Sequence, residues 1–264
     1  MGITVLVQGP TTARARHRVP LWLFYTYYEL LKLLRQPPVL IFGLGFPTAF
    51  FALFGLGIAV DYKTSVMASY AAYAAFVVPF SAFSNSLAVE RGLGWNKLLR
   101  TTPLNAALDL AGKTITILFV GILSMLILFL FAATIGQVSL SFLIWMQLMG
   151  ALVLGMLPFI VMGFFVGLIT GPISAPVIST LVFLLLSFTS GLFVPILFLP
   201  KFLANIAPFL PTYHLGQLAW IITGKGLGDG LPLWLHFLWL AGYGIIFLSL
   251  ALWAYNREER KNFG

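Results

Sequence analysis

Stretches without ionisable side chains organise the sequence. No Asp, Glu, Lys, Arg or His occurs at 36–60, 64–89, 114–200 or 237–256. A helix needs about 20 apolar residues to cross a bilayer, so the first, second and last stretches each predict one crossing. The third stretch is long enough for three crossings.

Two turn-like clusters divide the third stretch. They lie at 136–139 and at 170–176, where Gly, Gln, Ser and Pro interrupt the apolar runs. The lengths of the runs are typical of membrane helices, so the predicted fold class is all-α integral membrane. The six predicted spans are 38–60, 66–88, 113–135, 141–169, 175–194 and 232–255.

Positive residues indicate the side of the membrane on which each loop lies. Of the 15 Lys and Arg, 12 fall before the first span, between the second and third, or after the sixth. Positive loops stay in the cytoplasm, so both termini are expected inside a cell inner (plasma) membrane, which agrees with an even number of spans. The basic start lacks a signal-peptide pattern. We therefore expect a single transmembrane domain over 1–264, with cytoplasmic tails at 1–19 and 256–264.

Composition agrees with this interpretation. Hydrophobic residues make up 60 % of the chain and charged residues only 8 %, whereas a soluble domain carries about 25 % charged residues. The absence of Cys excludes disulfides and thiolate metal sites. The net charge of +8 lies beside the apolar runs, so it indicates membrane topology and not nucleic-acid binding.

Three segments fit neither a span nor a short loop. Residues 20–36 predict a helix with a narrow charged stripe, either lying in the headgroup region or starting the first span early with snorkelling charges. The loop 90–112 carries a short basic helix that ends at Pro103, either a docking element or a loop that only enforces topology. The outer segment, residues 191–231, is apolar but interrupted by prolines, which predicts short helices that dip into the membrane and return.

The sequence contains none of the chemistry expected of an enzyme. It has no G-x-x-x-x-G-K-[ST] phosphate loop, and its three histidines, His17, His214 and His236, are scattered without ligand spacing, so no metal site is expected. The predicted spans also lack the Asp, Glu, Lys or Arg that proton- or ion-coupled carriers bury at membrane depth, with only His236 near the outer end of the last span. If the protein moves a solute uphill, the energy is therefore expected from a partner.

Two motifs resemble those of the ABC type 2 exporter permeases. One is the loop Arg91-Gly92-x-Gly94-Trp95-x-x-Leu98-Leu99-x-Thr101-Thr102-Pro103, and the other is Ser187-Phe188-Thr189-Ser190-Gly191-Leu192-Phe193-x-Pro195 with its following prolines. The resemblance covers nearly the whole chain. It implies the type V exporter fold, with residues 20–36 as a connecting helix.

The resemblance also implies partners and roles. Family members pair as homodimers or heterodimers and bind two separate ATPase subunits, which would hold the ATP and magnesium, whereas this chain would need no cofactor. The residues implied in ATPase coupling are Arg91, Gly94, Trp95, Lys97, Leu98, Arg100 and Pro103. Those implied in the outer re-entrant helices are Gly191, Pro195, Pro200, Pro208 and Pro211.

By the same resemblance, the second and fifth spans line the substrate path. The candidates are Tyr73, Phe76, Phe80, Thr180, Phe183, Ser187 and Phe188. An aromatic wall with sparse hydroxyls favours an amphipathic drug-like, lipid or glycolipid substrate. The alternative is ordinary packing or lipid contact. Glycines at 155, 163, 167 and 171 predict close packing of the fourth span, within one protomer or at a dimer seam.

Three functions remain open from the sequence. The leading one is a permease subunit powered by an external ATPase, with membrane lipids and a second permease protomer as further partners. A non-transporting membrane scaffold or assembly factor is the alternative. A lipid-modifying membrane enzyme would need a polar catalytic cluster near the headgroups, which the sequence does not show.

Overall fold

The computed structural model describes residues 21–35, 43–94, 106–224 and 228–263, and its regular elements in these ranges are helices. Four helices there are long and apolar enough to cross a membrane, and two further apolar helices are shorter. The long ones are Tyr62–Gly92, Leu108–Thr134, Phe142–Ile169 and Leu233–Arg257, and the shorter ones are Gly43–Gly55 and Ser174–Thr189. The chain is therefore an all-helical integral membrane protein.

The helices follow one another in a simple order. They are α1 (Leu21–Leu34), α2 (Phe46–Gly55), α3 (Val60–Gly92), α4 (Ala106–Thr134), α5 (Phe142–Gly155), α6 (Leu157–Ile169), α7 (Ser174–Thr189), α8 (Lys201–Ile206), α9 (Pro211–Thr223) and α10 (Leu233–Phe263). Single 3-10 turns at Ile196–Phe198 and Ala207–Phe209 flank α8.

Helix α3 is the centre of the bundle. It packs against α2, α4, α6, α7 and α9. Its middle is rich in alanine, and the five alanines between residues 68 and 75 are fully buried. A helix that is apolar on every side belongs inside a helical assembly, and small side chains let several neighbours approach its backbone closely.

Two glycines of α6 set the distance between α6 and α3. A Cβ atom at Gly163 would lie 2.6 Å from the carbonyl oxygen of Phe80, and one at Gly167 would lie 2.9 Å from that of Ser84. Backbone atoms cannot move aside as a flexible side chain can. The predicted close packing of the fourth span is confirmed at these two positions, and both contacts lie within one chain.

The fourth span consists of two helices with one irregular residue between them. Helix α5 begins after Ser141, whose hydroxyl accepts a hydrogen bond from the Ile144 backbone, and it ends at Gly155. Met156 separates it from α6, and Pro158 near the start of α6 has no N–H to continue the helical ladder. Proline is tolerated at the first positions of a helix, so the chain resumes its helical path there.

Several helices differ in length from the predicted spans. The helix of the second span begins at Val60, before 66, and that of the third at Ala106, before 113, because ionisable residues predicted to lie in loops lie inside the helices. The helix of the predicted first span ends at Gly55, short of 60, and the fifth ends at Thr189, short of 194. The last helix runs on to Phe263.

The outer segment contains short helices whose starts coincide with prolines. Pro195 and Pro200 each precede a helical turn, Pro208 lies inside the second 3-10 turn, and Pro211 is the first residue of α9. Gly191 adopts a left-handed backbone (φ +88°), which a side chain would strain. Of the short helices, α9 is almost completely buried among α3, α5 and α10.

Candidate functional site

A cavity of about 580 Å³ opens between α1, α2, α3, α4 and α7. Aromatic side chains line one end of the cavity, hydroxyl and amide side chains line its middle, and charged side chains line the other end. Described residues that line it include Glu29, Lys32, Phe46, Phe50, Tyr73, Val77, Ser81, Asn85, Ser86, Lys113, Ile117, Thr180, Phe183, Leu184 and Phe193.

Four aromatic rings form the apolar end of the cavity. Tyr73 of α3 lies 4.8 Å from Phe193 and 6.3 Å from Phe183 between ring centroids, and Phe193 lies 5.5 Å from Phe50. Tilted and edge-on pairs at such distances are favourable. The sequence brings these rings together from three separate segments, so this end of the cavity exists only in the folded chain.

Short polar side chains line the middle of the cavity. On α3 the lining residues Tyr73, Val77, Ser81 and Asn85 recur every four positions, which places them along one side of the helix. Asn85 accepts a hydrogen bond from Ser179 of α7 at 3.3 Å, and the buried Ser81 hydroxyl oxygen has no hydrogen-bond partner. A ligand in the cavity would find both donors and acceptors here.

A buried ion-pair network closes the other end. Its members are Glu29 and Lys32 of α1, Glu90 of α3, and Asp109 and Lys113 of α4. The Lys113 ammonium, whose side chain is 2 % exposed, lies 2.6 Å from the Glu90 carboxylate and 2.5 Å from that of Asp109. Lys32 reaches the second oxygen of Glu90 at 2.5 Å. Glu90 therefore joins α1 to α4.

The environment of Lys32 favours its charged form. Burial alone would lower the pKa of Lys32, but the hydrogen bond and charge of Glu90, with the charge of Glu29, more than offset it and raise the pKa above 10.5. The ammonium therefore stays protonated at physiological pH. The Lys32 side chain is 43 % exposed, so solvent screens its ion pairs and they add little to stability.

The seven predicted substrate-path residues fall into different places. Tyr73, Thr180 and Phe183 line the cavity. Phe76 and Phe80 are fully buried on another side of α3, where the Phe76 ring lies 4.8 Å from that of Phe159 in α6. These two are core residues and do not line the cavity. We had placed them on the same wall because steps of three and four keep side chains on nearby faces.

The two remaining path candidates lie near the end of α7. Ser187 is fully buried, and its hydroxyl has no hydrogen-bond partner. Phe188 is half exposed and contacts Phe193 from the side, with ring centroids 5.1 Å apart. Neither residue lines the cavity, although Phe188 supports one of its aromatic walls.

Most of the predicted ATPase-coupling residues, Trp95, Lys97, Leu98, Arg100 and Pro103, lie outside the described residues. Of the other two, Gly94 adopts a left-handed backbone with open space around it. Arg91 donates hydrogen bonds to the backbone carbonyls of Gly167, at 2.7 Å, and Leu168. A cation suits the carbonyl end of a helix, so Arg91 caps α6.

Sequence reasoning missed two polar clusters. The ion-pair network was missed because Glu90, Asp109 and Lys113 were placed in the loop between the second and third spans, although the spacing of Asp109 and Lys113, four residues apart, is typical of a paired helix face. The second cluster contains His214 and His236, whose ring nitrogens lie 3.0 Å apart. Calling the histidines scattered was wrong for these two, because spacing along the chain does not reveal contacts between distant helices.

Among the described residues no group of three or more His, Cys, Asp or Glu side chains could hold a metal ion. The described part of the chain therefore offers a bilayer-spanning helical bundle, an amphipathic cavity and charged ties between helices. Such a site can bind a ligand with one apolar and one polar end.

Comparisons with known proteins agree with this picture. The family model described as "ABC-2 family transporter protein" matches residues 56–253. The chain is also 29 % identical over 238 residues to a protein of Bacillus subtilis (strain 168) named "Putative transport permease YvfS", an alignment that covers 88 % of this chain and 95 % of that protein. The matched region includes α3 to α9 and most of α10.

Proposed function

Because the chain belongs to the ABC-2 transporter family, we propose that it is the transmembrane permease subunit of an ATP-driven exporter. Family membership implies partnership with an ABC ATPase and a non-catalytic role for the permease itself. The cavity between α1, α3, α4 and α7 is the observation that supports a class of substrate, because its side chains are aromatic at one end and charged at the other.

The proposed arrangement has six crossings. Helix α7 is 16 residues long, or about 24 Å, which is about 6 Å shorter than a hydrocarbon core of about 30 Å, so the turn that follows it would complete the crossing. Helix α2 with the residues before it has a similar apolar character. With α2 and α7 counted as crossings, both termini lie on the cytoplasmic side of the plasma membrane. The amphipathic α1 then lies along the inner surface as a connecting helix, in the manner of type V exporters.

The proposed complex contains two permease protomers and two ATPase subunits. ATP and magnesium bind in the ATPases, and the segment 93–103 docks on them. Arg91 precedes this segment, and its hydrogen bonds to the end of α6 fix the end of α3 from which the segment departs. Gly94 adopts a left-handed backbone at this point, with no atom of the described residues close to it.

The proposed substrate is an amphipathic drug-like molecule, a lipid or a glycolipid. Its apolar part would contact Phe50, Tyr73 and Phe183, and its polar part would face Ser81 and Asn85. Burial of apolar ligand surface against aromatic side chains lowers the free energy of binding. A small hydrated ion would find too few polar groups there to replace its water.

The test begins with co-purification of the full-length chain from its native membrane, followed by reconstitution with the captured ATPase in lipid vesicles. ATP-driven efflux of a fluorescent lipid analogue or an amphipathic dye is then measured. We expect Phe183→Ala to reduce substrate stimulation of ATP hydrolysis several-fold while assembly persists.

The matched control is Leu185→Ala on the same helix, because Leu185 is exposed and does not line the cavity. It should leave stimulation unchanged. Equal effects of the two variants would refute the assigned path. An assembled chain without an ATPase partner or nucleotide-driven flux would favour the scaffold function instead.

A further inference from the structure

Two buried histidines meet where α9 packs against α10. The Nδ1 atoms of His214 and His236 lie 3.0 Å apart, and the residues are 2 % and 0 % exposed. At that distance one nitrogen must carry a proton and the other must be bare. The contact is therefore a single N–H···N hydrogen bond between the two rings.

Asp229 decides which ring donates. Its carboxylate lies 3.4 Å from Nε2 of His236 and accepts a hydrogen bond from the Tyr213 hydroxyl at 2.9 Å. A carboxylate favours a protonated nitrogen facing it, so His236 carries its hydrogen on Nε2 and accepts at Nδ1 from His214. Tyr213, His214, Asp229 and His236 thus lie together as one polar group, which we call the histidine cluster.

The carboxylate does not turn the pair into a metal site. Asp229 faces the opposite edge of the His236 ring from the edge that meets His214. Ligands of one ion must converge on a point, and these three groups do not.

The neighbouring ionisable groups are few in the described part of the chain. Helix α5, packed against α9, has none, and on α10 the hydroxyl of Tyr243 donates to the backbone carbonyl of Phe209. Trp239 of α10 stacks on His214 with ring centroids 5.0 Å apart.

The adjacent half of α3 carries four described ionisable side chains, Tyr62, Lys63, Tyr70 and Tyr73. Tyr70 and Tyr73 contact Phe193 and not the histidines, and Tyr62 is exposed.

Protonation of the two histidine rings disfavours their contact. A proton added to His214 creates a cation in a buried site, and protonation of both rings places two N–H groups face to face across 3.0 Å. Both costs disappear when the rings separate and reach water. Proton uptake therefore favours the separated form.

We propose that the His214–His236 contact is an acid-sensitive latch that holds the buried helix α9 against α10 and releases it when the pair binds protons. Nothing in the proposed transport cycle requires this role, so its failure would leave the proposed function intact.

The direction of the effect follows from linkage. Burial, with the charge of His236 as a second cause, lowers the pKa of His214 to about 4, against an ordinary value of 6.5; the Pro208 carbonyl and Asp229 act in the opposite sense. A group whose pKa is lower in the closed state binds more protons when open. The latch is therefore intact above pH 6.5 and weakens as the pH falls toward 4, by about tenfold per pH unit for one proton.

Hydrogen exchange of the full-length chain in lipid nanodiscs tests the proposal. After correction for the intrinsic pH dependence of exchange, peptides from 211–223 should exchange about fifteenfold faster at pH 5.0 than at pH 6.5, because a released His214 is already half protonated at pH 6.5. Peptides from 157–169 serve as the reference, because α6 has no ionisable side chain. Equal pH dependence in the two regions would overturn the latch.

Variants assign the effect to the pair. The double variant His214→Gln with His236→Gln should remove the extra pH dependence, whereas His17→Gln, at the third histidine of the chain, should keep it. A double variant that retains the full acid response would also overturn the proposal.

A cysteine probe tests the release of α9 if the double variant does not fold. The chain has no native Cys, so Leu218→Cys places a single thiol at a fully buried position of α9. Its labelling rate, relative to that of Lys201→Cys at an exposed position, should rise on acidification from pH 6.5 to 5.0. A constant ratio would contradict release of α9.

Discussion

The bundle holds a short helix at each end of α3, and it does so with different chemistry. Near Glu90 the ion-pair network binds α1 through contacts between lysine ammonium groups and carboxylates. About 30 Å away along the same helix, at Ser69, α9 is bound by the Trp220 indole N–H at 2.9 Å, and its histidines contact α10.

The difference determines which end responds to acid. Lysine and carboxylate pairs keep their charges between about pH 5 and pH 9, whereas imidazoles change theirs within this window. Both ends bury polar groups, but we expect only the α9 end to weaken on mild acidification.

Replacement of the central lysine should break the charged end. Lys113→Ala leaves Glu90 and Asp109 close together in a buried site without their shared cation. We expect the free energy of unfolding to fall by about 3–5 kcal/mol. Thermal unfolding in detergent measures the loss. Lys32→Ala is the control and should cost less, because the Lys32 side chain is 43 % exposed; equal losses would show that Lys113 is not the centre of the network.

A methyl group at Gly163 should disturb the contact between α6 and α3 that lies between the two ends. The new Cβ would meet the Phe80 carbonyl oxygen at 2.6 Å, so Gly163→Ala should lower stability by about 1–3 kcal/mol. Gly150→Ala, also within a helix, has no atom within 4 Å of its Cβ and should be neutral or slightly stabilising. A neutral Gly163→Ala would mean that the two helices can separate without cost.

Loss of the indole hydrogen bond should weaken the α9 end without changing its pH dependence. Trp220→Phe removes the bond to Ser69 and should cost about 1 kcal/mol, with a further loss of packing. The cost should be the same at pH 7.0 and pH 5.5, because neither group titrates there. A cost that varies with pH would imply that the histidines and Trp220 act as one unit.

The smallest effect is expected for α1 between pH 6 and pH 9. The pKa of Lys32 is raised, so its stabilising contribution is complete below about 10.4 and is lost only as the pH rises beyond that value. Corrected hydrogen exchange of peptides from 21–34 should therefore stay constant in this range. A change of more than about threefold would show that α1 is not held by the ion pairs.

The sequence was sufficient to predict the class of the fold and the approximate position of its apolar helices. Gaps between charges are a direct signal of membrane helices, since a charge in the bilayer core is costly. The same rule misplaced the ends of α3 and α4, because it treats every charged residue as a loop residue. Glu90 and Lys113 are helical since each neutralises the other.

The site was predictable only in part. Helical periodicity identified Tyr73 and Phe183, which line the cavity, but it could not separate them from Phe76, which packs on Phe159. Periodicity shows which residues share a face and not which neighbour covers that face. Contacts between distant elements, such as that of His214 with His236, leave no signal in the spacing of one sequence.

Pro79 gives α3 an uneven stiffness. As a proline inside the helix, it leaves the carbonyl of Ala75 without its usual N–H partner, so resistance to bending is lowest there. Beyond it, α3 is clamped to α6 at Gly163, at Gly167 and through Arg91. A bend of α3 is therefore expected at Pro79, and the half of the helix that follows should keep its position against α6 when the other half tilts.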